Sequence, residues 1–248
     1  MPSYTFTPSI LRGAGTRAVP EIPVGSSYTN TRSLSFDGID DFIELSSAIS
    51  LSGVFSLSAW IKPKNLASQQ YLFLSSATNN QNKTGIKGLN VLEVKLGGST
   101  NTLTESGGND FVTNVWQHTL IIRDSSNNIT AFRNGASFGG SVTNSNTGTF
   151  DSIGKFKNTT FLKSFLDEVA IFNTDQSSNV ATIYNSGVPG DLSSLSPLHW
   201  YRFEEGSGTT ATDSGTGGNN GTIVELLTQR MYQHKTKLCL LIHSHHQY

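Results

Sequence analysis

The chain has 248 residues, a formal net charge of −1, and only 35% hydrophobic and 14% charged side chains. Near-neutrality excludes the basic face that nucleic acid or an anionic membrane calls for, and no stretch approaches the roughly 18 apolar residues of a membrane span. A single cysteine, Cys239, excludes an internal disulfide framework.

Gly, Ser, Thr and Asn fill the composition, which suits many short strands joined by tight turns. The 14 Phe, 7 Tyr and 3 Trp argue against disorder. Residues 1–32, rich in Pro, Gly, Ser and Thr, read as an extended N-terminal arm. Met1 to Pro20 lacks a charged segment followed by an apolar one, so no secretory signal is expected.

Patterned sequence begins at Ser33. Ser33–Phe36 alternates, Asp37-Gly38 turns, and Phe42–Leu45 follows. In Val54–Ile61, Phe55, Leu57, Ala59 and Ile61 share one face, with Ser56, Ser58 and Trp60 on the other. Tyr71–Leu74 and Leu89–Leu96 come next, separated by a polar loop from Ser75 to Gly88. Trp116–Arg123 and Ile129–Arg133 form a hairpin, and Asn134-Gly135 marks a second tight turn. Thr149–Ile153, Phe165–Phe172 and Leu198–Phe203 complete the strands. Between Asp175 and Gly187 the spacing of Val180, Ile183 and Tyr184 predicts one short helix stopped by Gly187. The expected fold is an all-β antiparallel sandwich or jelly roll over residues 33–223, with at most one short helix. Residues 224–248 lose the turn rhythm and gather Cys239 and four of the six histidines, which reads as an atypical tail.

Five segments together resemble the laminin-G-like, concanavalin A-like lectin/glucanase superfamily. They are Leu34–Glu44, Phe55–Pro63, Trp116-Gln117-His118, Ala131–Gly135 and Leu166–Phe172. The resemblance implies a concanavalin A-like jelly roll whose concave sheet and rim loops bind carbohydrate or protein, often beside calcium. It also implies that the Asp37-Gly38 turn and the Leu166-Asp167-Glu168 strand meet. One departure stands out. Trp200–Thr210 with Asp213 is similar to a motif that usually opens such a domain, yet here it comes last. Either the sheet is completed from the C-terminal side, or a second copy begins and is cut short. The arrangement around Tyr184–Gly187 and Asp191–Leu195 is similar to proteins encoded by marine bacteriophages.

For a metal, Asp37, Asp40, Asp41, Asp167 and Glu168 form the candidate set, because calcium takes several oxygen ligands from neighbouring loops. For a sugar, Trp60, Tyr71, Trp116, Trp200 and Tyr201 are candidate stacking platforms. Loops 37–41, 75–88 and 99–109 are the expected rim. Adjacent carboxylates, Asp167-Glu168 and Glu204-Glu205, point to opposite faces of a regular strand and so suit a glycosidase poorly. Gly206–Ala211 matches a loose dinucleotide pattern, but the turn-rich segment after it gives no helix for a phosphate. His243, His245 and His246 lie in the tail, and His118 reads as a packing residue.

The expectation is therefore a non-catalytic module that recognises a surface glycan, with calcium as the one cofactor considered. It would be carried on a virus particle or another extracellular assembly, with no nucleic-acid partner, no membrane insertion, and oligomerisation left open. A structural virion protein making protein–protein contacts is the alternative, and a glycoside hydrolase a weaker one.

Overall fold

Strands form here because apolar and small polar residues alternate and Gly- or Asn-centred turns interrupt them every few residues. The computed structural model describes residues 28–66 and 70–224. In chain order the strands are β1 (Leu34–Ser35), β2 (Phe42–Leu51), β3 (Phe55–Pro63), β4 (Gln70–Ser75), β5 (Lys83–Gly88) and β6 (Val91–Leu96). Then come β7 (Ser99–Thr104), β8 (Gln117–Arg123), β9 (Asn128–Arg133), β10 (Ala136–Thr143), β11 (Gly148–Ile153) and β12 (Lys155–Phe156). β13 (Thr160–Phe161), β14 (Ser164–Phe172), β15 (His199–Tyr201), β16 (Thr210–Ala211) and β17 (Gly221–Val224) complete them. One short helix, α1 (Val180–Tyr184), precedes β15.

The strands make two antiparallel sheets. The first runs β1-β14-β3-β8-β9-β10 with β15 also paired to β14, and the second runs β16-β17-β2-β11-β4-β5-β6-β7. Between them lies one apolar core that includes Phe55, Leu57, Ala59 and Ile61 from β3, as their period-2 spacing requires. The opposite face of β3 is also covered. Leu120, Ile122, Ala170 and Phe172 pack there against Ile183 of α1, Leu192 and Trp200. Ser56 anchors this cover, its hydroxyl donating to Thr174 O at 2.8 Å and accepting from Gln176 N at 3.0 Å.

The predicted class and most strand positions hold. The Asn134-Gly135 turn has both residues at positive φ (51° and 75°), as a two-residue hairpin demands. The helix ends earlier than predicted, at Asn185, which takes the left-handed conformation before Gly187. Besides the short β12, β13, β16 and β17, three longer strands went unread: β5 (KTGIKG), β7 (STNTLT) and β10 (ASFGGSVT). Each buries a single large apolar residue in the core (Ile86, Leu103 and Phe138), too little to show alternation.

The late motif completes this domain rather than opening another. β15 joins β14 in the first sheet, and β17 pairs with β2 in the second. Residues 28–32 also lie against the domain, with Tyr28 stacked on Trp200 at 6.4 Å between ring centroids.

Arg123 sets the end of the sandwich opposite the Asp37 turn. Its fully buried guanidinium lies 4.6 Å from the Phe55 ring and donates to the carbonyls of Leu51, Gly53, Asn144 and Asn146. These carbonyls belong to the crossovers between the sheets. Replacing Arg123 by Met is expected to cost about 3 kcal/mol by stranding those acceptors. Chemical denaturation should show a lower midpoint with an unchanged m-value; an unchanged midpoint would contradict the assignment.

Candidate functional site

The five acidic candidates divide between two places. β1 pairs antiparallel with β14, Leu34 opposite Leu166 and Ser35 opposite Phe165. The Asp37 turn and the Asp167 strand are thus neighbours, as the resemblance implied. Antiparallel pairing, however, carries their carboxylates apart, by about 13 Å of strand.

Asp37, Asp40 and Asp41 come together, each offering a carboxylate oxygen within 4.8 Å of the others. Asp37 shapes the turn by accepting from Ile39 N at 2.7 Å, and Asp41 accepts from Asp37 N at 2.9 Å. Burial, with the neighbouring Asp37 and Asp40 charges, raises Asp41 to about 6, against the Asp37 N–H and the Lys64 charge. An all-oxygen set of three carboxylates suits a hard divalent cation, with further ligands from backbone carbonyls or water.

Asp167 and Glu168 sit elsewhere, at a seam. Along one edge of β14, β1 covers Phe165–Leu166 and β15 covers Val169–Ile171. Between them the register with β3 shifts, and Glu168 takes a φ of 49°. This bulge overturns the expectation that the two carboxylates face opposite ways. Asn30 Nδ2 donates to both, to Asp167 Oδ2 at 3.0 Å and to Glu168 Oε1 at 2.8 Å. Trp200 Nε1 donates to Glu168 Oε2 at 2.5 Å, and Arg202 Nε lies 3.5 Å from Oε1. Burial, then the Asp167 charge, raises Glu168 to about 7, against Asn30 and Arg202. The pair clamps residues before β1 and residues of β15 onto β14.

Three of the five candidate platforms are spent in packing. Trp60 lies between His118 and Tyr184, with ring centroids at 5.2 and 6.0 Å. Trp200 is buried beneath Tyr28, and Tyr201 is wholly buried with its hydroxyl donating to Asn219 O at 2.6 Å. Tyr71 is in β4, and its side chain lies outside the described residues. Trp116 is half-buried at the end of the sandwich that carries the Asp37 turn.

That end is rigid. Gln117, fully buried, accepts from Val112 N and Arg133 Nε through Oε1 and donates to Val112 O and Val115 O through Nε2. Backbone bonds link the same loop outward, from Phe111 N to Leu89 O and from Asn114 N to Pro63 O. Lys64 Nζ, donating to Ser35 Oγ and Phe36 O at 2.8 Å each, joins it to the acidic turn. Of the expected rim loops, the acidic turn and the 105–109 loop, tied by Glu105 N to Asn90 O, lie at this end. The 76–82 loop lies at the other, where Gln81 O accepts from Gly98 N.

The remaining candidates are structural or undescribed. Burial pushes His118 down to about 3, so its neutral ring sits 2.8 Å from Ser58 Oγ, as packing predicts. Gly206 leads into β16, with no helix following among the described residues. Asp213 ties the last loop to β15. Despite burial, hydrogen bonds from His199 and the N–H groups of Trp200, Asn219 and Gly215 hold its carboxyl below the usual range. The tail histidines and Cys239 lie outside the described residues. Sequence reasoning missed Asn30 and Gln117. Gln117 stood in the Trp-Gln-His motif, whereas nothing marked Asn30 within a segment read as an arm.

With this geometry in place, comparison with known proteins gives a consistent result. A family model described as the concanavalin A-like lectin/glucanases superfamily, of laminin-G type, matches residues 37–183. β15 to β17 lie beyond that match. A candidate carbohydrate-binding protein from Bacteroides ovatus is similar at a TM-score of 0.57 and 18% identity, over 77% of this chain and 58% of its own. The heptameric SAP-like pentraxin of Limulus polyphemus is similar at a TM-score of 0.53 and 14% identity, over 78% of this chain and 95% of its own. These identities establish a shared fold. This chain spans only 58% of the Bacteroides protein. No curated protein matches the sequence.

The seam has a measurable signature. Glu168 keeps its proton up to about pH 7 in the folded state, whereas in the unfolded chain it releases it near the ordinary glutamate value of about 4.3. Its contribution to stability is therefore present at low pH and is lost as pH rises through that window. Glu168→Gln should flatten this part of the stability–pH profile. An unaltered slope would mean that Glu168 titrates normally.

Proposed function

Because the chain belongs to the concanavalin A-like lectin/glucanases superfamily, we propose that it is a non-catalytic module recognising a surface glycan. The binding surface is the sandwich end that carries Trp116 and the Asp37–Asp41 turn. The observation that carries this reading is the Gln117 network. A buried side chain making four hydrogen bonds holds a solvent-facing loop in one conformation and presents Trp116 beside an acidic turn. Pre-organisation of that kind lowers the entropy cost of binding. A cation held by Asp37, Asp40 and Asp41, calcium by its oxygen preference, would neutralise the turn and fix it further.

The carboxylate pairs support a non-catalytic role. Asp167 and Glu168 are buried and bonded at the seam. Glu204 is taken up by the N–H groups of Thr31 and Arg32, and Glu205 accepts from Thr212 N. Both pairs are thus engaged by donors of the fold itself, unlike the open acid and nucleophile of a glycosidase.

A second reading has one observation in its favour. Four of the five exposed large hydrophobics among the described residues, Ile39, Leu89, Val112 and Val115, sit on the loops of this same end. Apolar loop tips suit protein contacts, as in a decoration or fibre component of a virus particle. A virion or other extracellular setting accommodates both readings.

A glycan array probed with the full chain, with calcium and with chelator, separates them. Recognition predicts a defined glycan class bound more tightly with calcium at pH 7, the calcium effect fading as pH falls through about 6 and Asp41 takes up its proton. Silence of folded protein in both conditions would favour the protein-contact reading.

A further inference from the structure

We infer that the glycan is acidic, carrying carboxylate or sulfate groups, and that Lys62 and Lys64 read that charge above a floor formed by Trp116 and Phe165. This rests on the recognition reading and specifies its ligand class. The four side chains share the face of the first sheet away from the core. Ile61 and Leu166 point inward, so their neighbours Lys62 and Phe165, paired across β3 and β14, point outward. Trp116 follows in the same row, one residue before Gln117, which pairs with Ile61.

The cover formed by α1 packs on the Trp60–His118 row through Tyr184, and the Lys62 row lies two residues further along β3. All four side chains are half-buried. The Trp116 and Phe165 rings are 6.3 Å apart and tilted by 54°, giving an aromatic floor wide enough for a sugar ring. Lys62 Nζ lies 5.5 Å and Lys64 Nζ 4.5 Å from the centre of the Phe165 ring.

The argument for acidity is one of donors and acceptors. An ammonium group offers donors only, so two of them give a neutral sugar little that water does not already give. A carboxylate or sulfate in the same position gains charge-assisted hydrogen bonds while the pyranose face stacks on the indole. Lys64 is already oriented by Ser35 Oγ and Phe36 O. Lys62, half-buried with its ammonium over the Phe165 ring, places its charge where a ligand resting on that ring would meet it.

Titration calorimetry on the full chain tests this with three oligosaccharides of equal length: an oligogalacturonate, a sulfated galactan and a neutral galactan. Tighter binding of either acidic probe supports the inference, and which of the two binds names the acid group. That affinity should fall about tenfold in Lys62→Ala, return in Lys62→Arg, and weaken steeply between about 50 and 500 mM salt. Trp116→Ala should abolish binding, and Lys87→Ala, on the far sheet, should leave it unchanged; thermal unfolding checks that each variant is folded. Binding of the neutral galactan alone, or acidic binding indifferent to Lys62 and to salt, would overturn the inference and leave carbohydrate recognition standing. No binding of any glycan by folded protein would overturn both.

Discussion

The structure depends on the bulge in β14. A glutamate held at a φ of 49° is a strained choice, costing on the order of 1–2 kcal/mol, and persists only where its surroundings over-determine it. Here they do. β1 and β15 lie end to end along one edge of β14, and the bulge falls in the gap between them. It turns two consecutive carboxylates to one side, where Asn30 from before β1 and Trp200 from β15 both donate to them. The first and last parts of the domain thus meet over a buried acid pair. Removing either donor would leave a buried carboxylate short of a partner, the costly case for any polar group in an interior.

A second constraint follows from the way the first sheet is covered. Its central strands, β3, β8 and β14, are buried on both faces, so their outward side chains need partners as the inward ones do. Segment 176–200 supplies them, and in doing so uses Trp60 and Trp200, two of the five aromatics the sequence offered as platforms. The second sheet keeps exposed polar residues such as Glu44, Ser50 and Thr102 on its outer side. The proposed site is the end of the sandwich where the cover stops, where the hydrogen-bonded 111–116 loop, the acidic turn and the lysine pair gather. Fold closure and site location are in this sense one problem.

Much of this was legible in the residues. The alternation of β3, the Asn134-Gly135 turn and the spacing of Val180, Ile183 and Tyr184 each follow from local rules that tertiary packing did not override. The Asp37–Asp41 cluster was equally readable, because a turn only five residues long keeps its own side chains close together. Asp167 and Glu168 defeated the same reasoning. Period-2 alternation sends adjacent side chains apart unless a bulge intervenes, and a bulge at a glutamate has no sequence mark comparable to glycine. The aromatic candidates failed for a related reason: chemistry alone does not tell a stacking platform from a core tryptophan, and for Trp60 the difference lay in a helix, Val180–Tyr184, far along the chain from its own strand. Lys62 and Lys64 looked like an ordinary strand end until β14 brought Phe165 beneath them.

The account's central claim is that ligands meet the chain at one end of the sandwich, away from both the seam and the open sheet. Hydrogen–deuterium exchange on the full chain, with and without the saccharide that binds it, tests this most directly. The account predicts slowed exchange in the 37–41 turn, at 62–64 and in the 111–116 loop, with the seam and the second sheet unchanged. Protection centred on β5 to β7, or at Asp167 and Glu168, would contradict it.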